Sequence, residues 1–179
     1  MADAVVIPGR MFGPGAPLTM YAGDVAERLG AQVHRHSWSE QPPTMFDPKL
    51  EDWVAGEVSP LLDTLGGRPL LIAKSLGTNA AVLAAERSMP AVWLTPLLHA
   101  PWVTTALRRA KAPFLLVGGT ADESWNGKLA RDLSRYVLEV DEADHGLYVP
   151  GPLTDSIAVL GLMVVAVREF LESINWPAR

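Results

Sequence analysis

The chain alternates short, wholly apolar runs with longer stretches in which apolar positions recur every three or four residues. Residues 4–7 (Ala-Val-Val-Ile) form the first apolar run and end at Pro8-Gly9. Leu18, Tyr21, Val25 and Leu29 follow at helical spacing, and Gly30 closes them as a C-cap does. Residues 32–38 predict a second strand. Asp47-Pro48 predicts a helix start, with Asp as N-cap and Pro at the first helical position. Leu50, Trp53, Val54, Val58, Leu61, Leu62 and Leu65 line one face behind it, and Pro60 falls inside, where it should kink or split the helix. The pattern continues with a third strand over 69–73, a helix over 76–86, a fourth strand over 91–94 and a short helix over 102–110. A fifth strand over 114–117 precedes a helix marked by Trp125, Leu129 and Leu133. A sixth strand over 137–140 and a last helix over 154–173, with a Thr-Asp-Ser start, complete the chain.

Strands that are apolar throughout, alternating with helices, predict an α/β architecture: about six parallel strands with helices on both faces. The 179 residues suit one domain spanning 1–179. No internal repeat, low-complexity segment or linker interrupts it. The last helix is apolar nearly all round over 157–167, which predicts either a helix held against the sheet or a homodimer face. That run is well short of the roughly 18 residues a membrane helix needs. The N-terminus has no basic region and no long apolar run, so no signal peptide is expected, and a cytoplasmic protein with no membrane partner follows.

Composition narrows the chemistry. The formal net charge is -5 with no basic run, which argues against nucleic acid as a partner. There is no cysteine, which removes disulfides, thiolate metal sites and a cysteine nucleophile.

In parallel sheets ligands gather at the C-terminal ends of the strands, so the residues after each strand carry the information. After the third strand comes Ala73-Lys74-Ser75-Leu76-Gly77, a serine flanked at two residues' distance by small side chains. This is the pattern of a nucleophile elbow, a sharp turn where bulk at either small position would strike neighbouring backbone. The turn lifts the hydroxyl above the sheet and sets a helix N-terminus beneath it, where negative charge is stabilised. After the fifth strand comes Gly118-Gly119-Thr120-Ala121-Asp122-Glu123, and after the sixth Asp141-Glu142-Ala143-Asp144-His145-Gly146. Each signal is weak alone, since Ser75 could simply cap a helix and Asp122 a turn. Together Ser75, Asp122 and His145 occur in the order Ser, Asp, His, each after a strand, and make up a candidate catalytic triad.

On these stretches, with Ile7-Pro8-Gly9, the chain resembles a small α/β-hydrolase of the capless, dienelactone-hydrolase-like or short serine-esterase type. The resemblance spans nearly the whole chain and is to a superfamily rather than one enzyme. It implies a minimal, single-domain α/β-hydrolase fold whose first strand corresponds to the third of the full fold, with little room for a lid. It implies backbone oxyanion donors at Leu76 and at Arg10 or Met11, although Pro8-Gly9 stands where many members have His-Gly. Hydrolysis of a small carboxylic ester through an acyl-enzyme follows, with no cofactor and no metal. Thioesters, lactones and amides use the same machinery. The absence of a visible lid argues against a long-chain lipase with interfacial activation. The alternative is a non-catalytic binding or scaffold protein that keeps the hydrolase fold. A plain doubly wound ligand-binding domain has no support, because Gly13-Pro14-Gly15 is neither a dinucleotide fingerprint nor a P-loop.

Trp38, Trp102 and Trp125 follow strands and are expected either to pack in the core or to line an apolar acyl pocket, with His99 near its edge. Glu123 and Asp144 are the fallback acids. His34 and His36 share a strand face, but no third ligand completes a metal site. Lys74 is expected to pack its stem on the elbow with its head in water, or else to attract anionic substrates.

Overall fold

The computed structural model describes residues 2–44 and 47–177. Six strands run in chain order: β1 (Ala2–Ile7), β2 (Ala31–Arg35), β3 (Leu70–Lys74), β4 (Ala91–Leu94), β5 (Phe114–Gly119) and β6 (Tyr136–Val140). All pair in parallel, in the spatial order β2-β1-β3-β4-β5-β6. The order reverses between β1 and β3, which opens a crevice beyond their C-terminal ends. The helices are α1 (Pro17–Arg28), α2 (Leu50–Thr64), α3 (Ala81–Arg87), α4 (Pro101–Arg109), α5 (Gly127–Leu133) and α6 (Leu153–Ser173). The predicted six-stranded parallel α/β fold is the one observed.

Alternate strand residues feed two cores, as the two-residue period of a strand requires. Val5, Ile7, Leu71, Ala73, Trp93 and Leu116 face α2, α3, α4 and α5. Val6, Ile72, Val92, Leu94, Leu115 and Val117 face α1 and α6. One face thus carries four helices and the other two. On α6, Val159, Met163, Val167, Phe170 and Leu171 are buried against the sheet, while Leu153, Ile157, Leu162 and Val165 remain exposed. No helix among the described residues is long and apolar enough to cross a membrane.

Several element boundaries differ from expectation for local physical reasons. The second strand stops at Arg35 rather than residue 38. His36 N–H still donates to the Val6 carbonyl at 2.9 Å, but β1 ends at Ile7 and Pro8 offers no N–H to extend the ladder. Asp47 does not cap α2 directly. Its carboxylate accepts from Lys49 N–H at 2.9 Å and its carbonyl from Leu50 N–H at 3.0 Å, a turn that leads into the helix. Pro60 does not split α2, which runs through it unbroken. The Gly56 carbonyl it leaves without a helical donor lies on the exposed face, where water can satisfy it. The expected helix over 76–86 is a 3₁₀ segment over Ser75–Ala80 followed by α3. Thr78 Oγ1 donates to the Ser75 carbonyl at 2.6 Å and Asn79 Nδ2 to the Leu76 carbonyl at 2.8 Å, so side chains bond the turn three residues back. Trp125 precedes α5, whose N-cap is Asn126, accepting from Leu129 N–H at 2.9 Å. Pro152 precedes α6 and no side chain caps it.

Two glycines should respond in opposite directions to the same substitution. A Cβ on Gly119 would fall on the backbone carbonyl of Ala143, which cannot give way. Gly161 sits exposed in α6 with open space around it. Gly119→Ala should destabilise by about 3 kcal/mol or more, and Gly161→Ala should stabilise by about 0.5–1 kcal/mol. Urea unfolding of both variants checks this, and two shifts of the same sign would contradict the packing described.

Candidate active site

The site grows from the turn after β3. Lys74 ends the strand in extended geometry, and Ser75 turns sharply with φ 49°, in the left-handed region that a non-glycine residue seldom adopts. The 3₁₀ segment then descends beneath it. Gly77 makes the turn feasible, because a Cβ there would lie 2.8 Å from the carbonyl oxygens of both Ile7 and Pro8. The elbow therefore abuts the loop after β1, and a Cβ built on Gly9 would stand 3.6 Å from the Ser75 Cβ.

Two other loops arrive from the same edge of the sheet. The turn after β5 brings in Asp122, which is 6% exposed. The loop after β6 brings in His145. Carboxylate oxygens only accept, so His145 Nδ1–H donates to Asp122 Oδ2, at 2.7 Å. That tautomer leaves Nε2 as the acceptor for the Ser75 hydroxyl, at 2.8 Å. Asp122 Oδ1 accepts from the Ser124 N–H at 2.8 Å, which fixes the carboxylate plane. Burial pushes the Asp122 carboxyl up, but the His145 and Ser124 hydrogen bonds and the positive charge of Lys74 outweigh it and hold the acid below its ordinary range. The three residues singled out in sequence thus form one hydrogen-bonded chain.

Lys74 does more than pack. Its Nζ donates to the His145 backbone carbonyl at 3.1 Å, tying the elbow to the histidine loop. Burial holds its ammonium below the usual lysine range, opposed by the charges of Asp122 and Asp144. Neither fallback acid takes the place of Asp122. Glu123 is exposed, and Asp144 Oδ1 accepts from Gly146 N–H at 2.7 Å and Tyr148 N–H at 3.0 Å, shaping the loop around His145.

The loop after β1 is held from below and from the side. Trp38 Nε1–H donates to the Gly9 carbonyl at 2.9 Å. The Arg10 guanidinium donates to the carbonyls of Pro42 and Pro43. Gly9, which stands against Ser75, and the Arg10 that follows it are therefore held in an anchored loop.

A cavity of about 720 Å³ opens beside Ser75 and His145, within the usual size range of small-molecule sites. Trp38, His99 and Trp125, expected at its wall, do not line it. The cavity lies on the side of α1 and α6, with Leu18, Leu147 and Leu160 in its wall. Trp38, Trp102 and Trp125 pack on the opposite core, under α2 to α5. There Trp38 packs against Trp53 with ring centroids 5.1 Å apart and planes tilted by 45°. Trp102 Nε1–H donates to Asn79 at 2.7 Å and Trp125 Nε1–H to Glu139 at 2.7 Å. His99 is exposed on the turn after β4. The wall residues that sequence reasoning missed include Phe12, Leu18, Leu147, Tyr148, Leu153, Ile157 and Leu160. The one sequence cue was an aromatic side chain set among the glycines and prolines after β1.

No cluster of three or more potential ligands among the described residues could hold a metal ion. His34 instead pairs with Asp3 at 2.8 Å, and His36 lies 3.7 Å from Glu57.

No family model matches the chain, and no curated protein matches it in sequence. Solved structures do. Est1E from Butyrivibrio proteoclasticus superposes with a TM-score of 0.74 at 15% identity, covering 97% of this chain and 88% of that one. A protein of Xanthomonas campestris pv. campestris, named as a hydrolase of the α/β superfamily, gives 0.68 at 23% identity, covering 97% and 99%. An α/β serine hydrolase without lid, also from Xanthomonas campestris, gives 0.60 at 15% identity, covering 99% and 84%. The chain has the α/β-hydrolase fold.

Folding holds the Asp122 carboxyl below its ordinary value of 3.8. Its ionised form therefore adds stability that is complete above that value and lost as pH falls through the lower folded value. The stability gap between the protein and Asp122→Asn should be largest near neutrality and shrink in acid. Urea midpoints from neutral to strongly acid pH measure it; a gap that is constant or widens in acid would contradict an ionised, paired Asp122.

Proposed function

We propose that the protein is a serine hydrolase that cleaves a carboxylic ester through an acyl-enzyme. The observation that carries this reading is the unbroken chain from Ser75 Oγ to His145 Nε2 at 2.8 Å and from His145 Nδ1 to Asp122 Oδ2 at 2.7 Å, opening into a cavity. Ser75 Oγ attacks the acyl carbon while its proton passes to His145 Nε2. Asp122 keeps the imidazole in the right tautomer and stabilises its cation. The tetrahedral oxyanion is held by the Leu76 N–H and an N–H of Arg10 or Met11, donors that need no side chain. The intermediate collapses, the ester C–O bond breaks, and the alcohol leaves with the proton from His145. Water then attacks the acyl-enzyme, gives its proton to His145, and the acid departs as Ser75 is reprotonated.

The backbone at the serine supports the same assignment. Ser75 is held in a strained conformation with its hydroxyl at a cavity wall, and strain of this kind concentrates at functional sites. The mechanism requires no metal or cofactor.

Labelling with a fluorophosphonate probe tests the reading. The protein should react and Ser75→Ala should not. Hydrolysis of p-nitrophenyl acetate should fall on the order of 10⁴-fold in either Ser75→Ala or His145→Gln, because triad members act as a unit. Absence of labelling in a folded sample, or labelling that survives in Ser75→Ala, would overturn the assignment.

A further inference from the structure

Two of the segments that wall the cavity beside Ser75 carry exposed apolar side chains. One is the loop after β1, carrying Met11 and Phe12. The other is the first turns of α6, carrying Leu153 and Ile157. These four side chains are 65%, 83%, 64% and 59% exposed. Leu153 and Ile157 are spaced four apart, so they present one helical edge to the cavity. An apolar patch that rims a cavity marks a binding surface.

Phe12 adds a backbone observation. It has φ 67° and ψ 4°, a left-handed conformation disfavoured for a bulky residue. Its ring is among the most exposed large hydrophobic groups of the protein. The fold gains no burial from the ring, yet holds it at the mouth in an unfavourable backbone state. Such an arrangement is accounted for when something outside the chain covers the ring.

Arg10 and Lys74 are the cations in the cavity lining, and no acidic side chain among the described residues lines it. Arg10 is turned toward the Pro42 and Pro43 carbonyls and Lys74 toward the His145 carbonyl. The scissile carbonyl belongs at Ser75, and Met11, Phe12, Leu153 and Ile157 line the same cavity.

We infer that the substrate is an ester bearing an extended apolar arm, which lies against Met11–Phe12 and Leu153–Ile157. The inference rests on the serine-hydrolase reading and extends it, from a small ester to an amphiphilic one. The geometry accommodates an arm on either the acyl or the alcohol side of the ester, and the test separates them.

Two substrate series decide the matter: p-nitrophenyl esters from acetate to decanoate, and alkyl acetates from methyl to decyl. kcat/KM should rise along one series, approaching roughly threefold per added methylene before levelling off, and by at least about tenfold from shortest to longest. The series that rises identifies the side that carries the arm. Phe12→Asn keeps a residue tolerant of the left-handed backbone while removing the apolar ring. It should lower the long-to-short ratio about tenfold, chiefly through KM, without lowering thermal stability. Ile157→Ser, from the other segment, should lower the same ratio. Flat profiles in both series, with acetate cleaved in a Ser75-dependent manner, would overturn the apolar-arm inference and leave the hydrolase reading standing. A ratio unchanged by both substitutions would overturn the assignment of this rim. If no ester is cleaved and no label binds, both readings fall.

Discussion

The site depends on one close approach, that of the elbow after β3 to the end of β1. At Gly77 a single methyl group would strike two backbone oxygens, those of Ile7 and Pro8. That contact fixes the height of the Ser75 turn relative to the loop after β1. The turn is strained, at a cost on the order of 1–2 kcal/mol for a left-handed non-glycine residue. The 3₁₀ segment beneath it offsets that cost, since Leu76, Gly77, Thr78, Asn79 and Ala80 are all buried and the two polar side chains among them bond the local carbonyls. Trp102 braces Asn79 in turn. A turn confined to a few residues in sequence is therefore anchored in the whole α2–α5 core.

The remaining parts reach the serine because the strands are parallel and in register. β5 pairs with β6 from Leu115↔Tyr136 to Gly119↔Val140, so the turns carrying Asp122 and His145 leave the sheet at the same level. Gly119 lets the Ala143 carbonyl come close, and Ala121 N–H donates to that carbonyl at 3.0 Å. Lys74 closes the loop of contacts by bonding the His145 carbonyl from the residue before Ser75. The imidazole is thus held through its ring by Asp122 and through its backbone by Lys74. The His145 and Ser124 hydrogen bonds, with the Lys74 charge as a smaller contribution, hold the buried Asp122 carboxyl below its ordinary range.

The strands were legible in the sequence because a sheet buried on both faces needs continuous apolar runs, and runs this short, bounded by turn residues, are too brief for buried helices. The candidate triad was legible for a related reason: Ser75, Asp122 and His145 each follow one of those runs, in the order that the hydrolase arrangement requires. What was not legible is which side of the sheet a residue takes once it has left the strand. Trp38, Trp102 and Trp125 all follow strands, and all three turn to the α2–α5 side as hydrogen-bonded braces rather than pocket walls. A one-residue change in where a strand ends reverses that choice, and sequence patterns place strand ends only to within a few residues. The 3₁₀ segment was hidden for another reason. Its conformation follows from Thr78 and Asn79 bonding backward, which hydrophobic periodicity does not register.

The uneven helix count on the two faces explains where the cavity lies. Four helices cover one face and fill it to the C-terminal edge, with Trp93 and Leu97 almost wholly buried there. Among the described residues only α1 and α6 cover the other, and near Ser75 loops and the first turns of α6 line the cavity. The pattern of α6, apolar nearly all round, takes on a specific meaning in this setting. Its buried face, with Val159, Met163 and Val167, closes the core, whereas Leu153 and Ile157 turn toward the cavity. A polar residue at Leu153 or Ile157 would spare the chain its exposed hydrophobic surface at no cost to the core, because neither position is buried. Phe12 stands in the same relation to the loop after β1, with a backbone cost added. Exposed apolar side chains that share a cavity with Ser75, on elements whose folding does not need them there, are most simply accounted for by what occupies that cavity.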